Sequence, residues 1–135
     1  RSIRDAALSL FEKHRRQGLL DRYTDQWVAD YLVREAEGLV DLADRLAGSS
    51  AAWTVFRYEE FGETSLRQVA DWIGWPGGGD LARGFEAFGR GFEVLRHRDR
   101  NLAPELEQQA AMIAESCAWF ESRFYGTNLA FDRFA

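Results

Sequence analysis

One cysteine, Cys117, excludes an internal disulfide framework. It falls in an apolar helical pattern and reads as a small buried hydrophobe. The two histidines, His14 and His97, have no partner at ligand spacing, so no metal site is expected. No serine stands in a Gly-x-Ser-x-Gly turn, which removes the usual signature of a nucleophilic triad. The triple glycine Gly77 to Gly79 lacks the Lys and Ser/Thr of a Walker loop and reads as a connector. No apolar run is long enough to span a bilayer, and no secretory signal is visible. A net charge of −5 argues against a surface built for nucleic acid. Lysine is nearly absent, with Lys13 alone among 17 basic residues. The arginines that replace it are the better forks for phosphate and carboxylate, although a compositional bias gives the same excess.

What remains is a chain of 135 residues, 46% apolar and 14% aromatic, enough for one modest domain with a core. Most of it has the period of helices. Ile3 to Arg16 places Ile3, Ala6, Ala7, Leu10 and Phe11 on one face, and Gly18 is a stop signal. Asp25 to Ala47 is a second, longer helix, capped by Thr24 or Asp25, with Trp27, Tyr31, Leu32, Leu39, Leu42 and Leu46 as its buried stripe. A third runs from about Thr64 to Ile73. A fourth begins near Asp80, weakened by Gly84, Gly89 and Gly91. A fifth starts near Pro104 and is ended by Gly126, with Leu106, Ala110, Ile113, Cys117 and Phe120 or Phe124 on its apolar face. The tail from Thr127 to Ala135 keeps Leu129, Phe131 and Phe134, and a tail that apolar is expected to dock.

The exception is Trp53 to Phe61, an aromatic and β-branched run bounded by Gly48 and Gly62, which predicts a strand. A lone strand has no ladder partner, and unpaired buried backbone is costly. Together with a start inside a helical pattern, this predicts a portion of a larger α/β protein.

Two stretches have anion-binding chemistry. Arg1 to Ser9 opens a helix, where backbone N–H groups and the positive dipole end attract anions. Arg1 adds a guanidinium fork, and Ser9 lies about two turns along. Arg96, Arg98 and Arg100 crowd a basic loop. The segment from Phe85 to Asn101 combines an apolar face with glycines and is expected to act as a mobile lid. The adjacent pair Glu59 and Glu60 reads better as a cap or salt-bridge partner than as an acid/base pair.

In order along the chain, these pieces resemble the C-terminal half of a PAPS-dependent sulfotransferase. Members carry a segment like Arg-Asn-Pro-Arg-Asp-Val-Ala-Leu-Ser, matched here by Arg1, Arg4, Asp5, Ala7 and Ser9. They carry a strand ending in Tyr-Glu-Asp-Leu, similar to Tyr58 to Phe61, and a helix closing in Phe-Leu-Gly, similar to Trp72 to Gly74. Their last helix begins like Leu-Ser-Pro-Glu, similar to Leu102 to Glu105. The resemblance implies a P-loop kinase-like three-layer α/β fold, with residues 1–135 forming the C-terminal part of a single domain. It implies PAPS as cofactor, 3′,5′-ADP as product, and sulfuryl transfer to an acceptor hydroxyl or amine on a small molecule or carbohydrate. Arg1 and Ser9 would hold the 3′-phosphate, Tyr58 would contact adenosine, and one or more of Arg96, Arg98 and Arg100 would close over the phosphate. The phosphate loop and general base are expected upstream of Arg1, in a missing N-terminal segment, so this chain alone is expected to be inactive. A cytoplasmic location follows from the same reading. The alternatives are a non-catalytic helical interaction module and a P-loop kinase-type phosphotransferase.

Overall fold

In a computed structural model of the chain, the described residues are 2–55, 57–58, 62–76, 80, 83–84 and 102–125. The chain divides into two units, one formed by residues 1–55 with 101–135 and the other by residues 56–100. Five helices are described: α1 (Ile3–Arg16), α2 (Asp25–Ala47), α3 (Glu63–Ile73), α4 (Pro104–Ser116) and α5 (Ala118–Tyr125).

In the first unit, α1 begins where the extended Ser2 turns its hydroxyl onto the Asp5 N–H, at 3.3 Å. It ends on Gly18, whose φ of 66° lets the Leu19 N–H return to the His14 carbonyl at 2.8 Å. Glycine suits this left-handed position because it has no Cβ to collide with the backbone. α2 starts on Thr24, whose hydroxyl accepts from the Trp27 N–H at 3.2 Å. Thr24→Ala removes that acceptor and should cost about 1 kcal/mol in chemical denaturation. A change below a few tenths would mean that the cap contributes nothing.

The core of this unit gathers Ile3, Ala7 and Phe11 from α1, Val28, Leu32 and Ala36 from α2, and Ala110, Ile113, Cys117 and Phe120 from the last two helices. α1 packs against α4, and its start meets α5, where the Ile3 N–H donates to Glu121. The apolar spacing of α1 and α4 thus does what an amphipathic stripe requires, burying one face and leaving the other wet.

Three expectations change. The helix expected to run unbroken from near Pro104 until Gly126 is broken at Cys117, where φ is −107° and ψ is 24°. The Ser116 hydroxyl bonds back to the Ile113 carbonyl at 2.7 Å, and the Phe120 N–H reaches Cys117 O at 2.9 Å, tightening the turn there. The strand is reduced: among the described residues only Trp53 makes a β-bridge. The stripe of α2 is carried by Val28, Leu32, Ala36 and Ala43, while Leu39 and Leu42 stay half exposed. Cys117 is fully buried.

In the second unit, α3 opens on Gly62, whose N–H donates to the Ser65 hydroxyl at 2.8 Å. It closes on Gly74, at φ 70°, with the Trp75 N–H on the Ala70 carbonyl at 2.8 Å. Asp80 ion-pairs with Arg83. The strand end from Glu59 to Phe61, the expected lid from Phe85 to Asn101 and the tail from Thr127 lie outside the described residues. No described helix is long and apolar enough to cross a membrane.

Candidate functional site

The site read from the sequence depends on the start of α1. Ser2 is the N-cap, so Ile3 is the first helical residue and its N–H has no partner within the helix. That donor is taken by Glu121 of α5, whose Oε1 accepts it at 2.7 Å. A carboxylate is a natural guest there, because it meets a free donor and the positive end of the helix dipole. The anion drawn to this helix start is therefore a side chain of the protein itself, and nothing in the sequence signalled it across 118 residues.

Ser9 sits on α1, partly buried, seven residues after the cap. Seven residues are nearly two turns, so Ser2 and Ser9 share a face about 10 Å apart along the axis. Tyr58 is also partly buried but belongs to the second unit. Arg1, Arg96, Arg98 and Arg100 lie outside the described residues. On the neighbouring side of α1, the buried Glu12 accepts from Arg16 Nη2 at 2.9 Å, an i,i+4 pair that neutralises a carboxylate near the core.

A second group of side chains converges at the other end of α1. His14 is only 5% exposed, and its Nδ1 is buried without a hydrogen-bond partner. The imidazole stacks on Tyr23 at 4.6 Å between ring centres and meets the edge of Trp27 at 5.6 Å. Trp27 in turn stacks on Tyr31 at 5.3 Å. The Arg22 guanidinium lies 5.7 Å from the centre of the Tyr23 ring. The one-turn spacing of Trp27 and Tyr31 was readable in the sequence. The arrival of Tyr23 from the connecting loop was not.

Burial first, and the neighbouring Lys13 ammonium second, hold the His14 imidazole below its ordinary value of 6.5. Stacking on the Tyr23 face favours the charged form, whereas a protonated Nδ1 would be buried with no acceptor, which opposes it. The folded state thus resists a proton that the unfolded chain accepts. Stability contributed by neutral His14 is complete above pH 6.5 and declines as pH falls from there toward the lowered folded value. His14→Phe should flatten that part of the stability–pH curve, measured by urea unfolding at a series of pH values. An unchanged slope would place the acid sensitivity elsewhere.

An open cavity of about 410 Å³ adjoins this cluster, with Phe11, Tyr23, Thr24, Asp25, Glu105 and Gln109 among its lining. Of its three acids, Asp25 and Glu105 occupy the first turns of α2 and α4, where helix dipoles favour negative charge, and Asp21 lies in the connection between α1 and α2. Among the described residues no three His, Cys, Asp or Glu side chains are grouped to hold a metal.

No protein-family model, no curated protein and no solved structure matches this chain.

Proposed function

We propose that this chain forms the 3′-phosphate and adenosine side of a PAPS site in a sulfotransferase. The observation that carries the reading is the start of α1. A motif of the form Arg-x-x-Arg-Asp-x-Ala-x-Ser coincides with a capped helix entry, and its first helical residue, Ile3, stands where the sulfotransferase pattern has a proline suited to that position. Arg1 and Ser9 would grip the phosphate from just before α1 and from its second turn. The Ile3 N–H would not take part, because Glu121 already holds it. On the same reading Tyr58 would contact adenosine, and one or more of Arg96, Arg98 and Arg100 the phosphate.

In that reading the fold is three-layered α/β, and the phosphate loop and general base come from a segment preceding Arg1. PAPS supplies the sulfuryl group, which passes by in-line displacement to a hydroxyl or amine of a small-molecule or carbohydrate acceptor in the cytoplasm. The residues of this chain contribute positioning and charge neutralisation rather than proton transfer.

Titration of the full-length gene product with 3′,5′-ADP and 5′-AMP tests the assignment. Arg1→Ala should weaken 3′,5′-ADP at least about ten-fold, as expected for one lost charge-assisted bond, and leave 5′-AMP nearly unchanged. Equal losses for the two nucleotides would sink it.

One observation favours a second reading, a helical module without catalysis. α1, α2, α4 and α5 close a core of their own with no strand among their described residues. Absence of any nucleotide binding by the full-length product, with the helices intact by circular dichroism, would select it.

A further inference from the structure

The apolar stripe of α2 outruns its cover. Leu39 is three residues after Ala36 and four before Ala43, which places it on the buried face of the helix. Ala36 is 1% exposed and Ala43 5%, yet Leu39 is 50% exposed. Leu42, three residues further, is 52% exposed. Two large side chains on one turn therefore continue the core stripe half exposed, although the small alanines beside them are sealed.

The chain's own continuation starts beside this gap. α5 is fixed to the end of α2 by Arg123, whose Nη2 meets Asp44 Oδ1 at 2.8 Å. Phe124 and Tyr125 pack against the core cluster. Asp44 is two residues beyond Leu42 and five beyond Leu39, roughly 3 and 8 Å along the axis. α5 ends at Tyr125, and residues 126–135 follow it in the sequence. They contribute three large apolar side chains, Leu129, Phe131 and Phe134, with the polar pair Asp132 and Arg133 between the last two. Ten residues span up to about 33 Å, so reach is no obstacle, and a segment so closely tethered has a high effective concentration at the stripe.

We propose that the exposed turn of α2 at Leu39 and Leu42 is the seat of the segment 127–135, which covers it with Leu129, Phe131 and Phe134. This reading is independent of the nucleotide assignment. It makes the end of α2 a docking surface for a segment more than 80 residues distant in sequence.

Cysteine cross-linking tests it in the full-length protein. Leu42→Cys combined with Phe131→Cys should give an intramolecular product of monomer mass with a short bismaleimide at low protein concentration. Each single variant should give none, since the native Cys117 is fully buried. A product of dimer mass would mean that a second copy takes the stripe, and no product would mean that another partner or solvent does. Either result overturns the proposal. A second measurement avoids cysteine chemistry. Replacing Leu129, Phe131 and Phe134 together by serine should speed amide exchange across Leu39 to Ala43 about ten-fold while leaving Val28 to Leu32 unchanged. Unchanged exchange at Leu39 to Ala43 would also overturn it.

Discussion

Phe11→Ala should lower the unfolding free energy by about 3–5 kcal/mol. Phe11 is 1% exposed and belongs to the cluster joining α1, α2 and the last two helices, so its removal strips contacts from several helices at once. A modest domain has only about 5–15 kcal/mol in total, so the variant should stand near the edge of folding at 37 °C. The outcome is expected at the lower end of the range, because Phe11 also borders the open cavity. Leu20 and Leu106 line the same space and have room to relax inward. Urea unfolding with tryptophan fluorescence gives the value directly. A loss under about 1 kcal/mol would mean that the core between α1 and α4 is not closed as described.

The second large effect is expected at Glu121. Its carboxylate satisfies the first N–H of α1 in a partly buried setting, a charge-assisted bond worth about 1.5–3 kcal/mol. Glu121→Ala should cost that amount, whereas Glu121→Gln keeps an acceptor and should lose only part of it. The pair also bears on anion binding. If a nucleotide phosphate sits near the start of α1, Glu121→Gln removes a competing negative charge and should tighten 3′,5′-ADP several-fold in the full-length protein. Identical stability for wild type and Glu121→Ala would show that water serves the Ile3 N–H equally well.

Local signals carried most of the helix reading. Thr24, Gly18, Gly48 and Pro104 act through backbone geometry within a few residues, so the limits of α1, α2 and the start of α4 were legible. The break at Cys117 was not, because Ser116 and Cys117 are tolerated inside helices and only the Ser116 back-bond reveals the competition. The buried stripe of α2 was legible as a direction but not in extent. Periodicity tells which side of a helix is apolar, and cannot tell where a neighbouring helix stops. That is why Leu39 and Leu42 were expected inside and are half exposed. At the candidate site, the helical placement of Ser9 followed from the apolar spacing of α1, whereas the Ser2 cap was not read. Nor was the role of Glu121, since a glutamate on a late helix has the same local appearance whether it faces water or a distant amide.

The pairing of Ile3 with Glu121 has a consequence during synthesis. α1 is made before α4 and α5, so Ile3, Ala7 and Phe11 wait for those helices while up to 118 further residues are added. At about 5–20 residues per second, that interval lasts roughly 5–25 s. Of the helices that share its core cluster, only α2 is available to α1 during that interval. The nascent chain is then a natural client for a holding chaperone, and messages translated slowly between the codons for Ala47 and Pro104 should yield more aggregated protein than those translated fast.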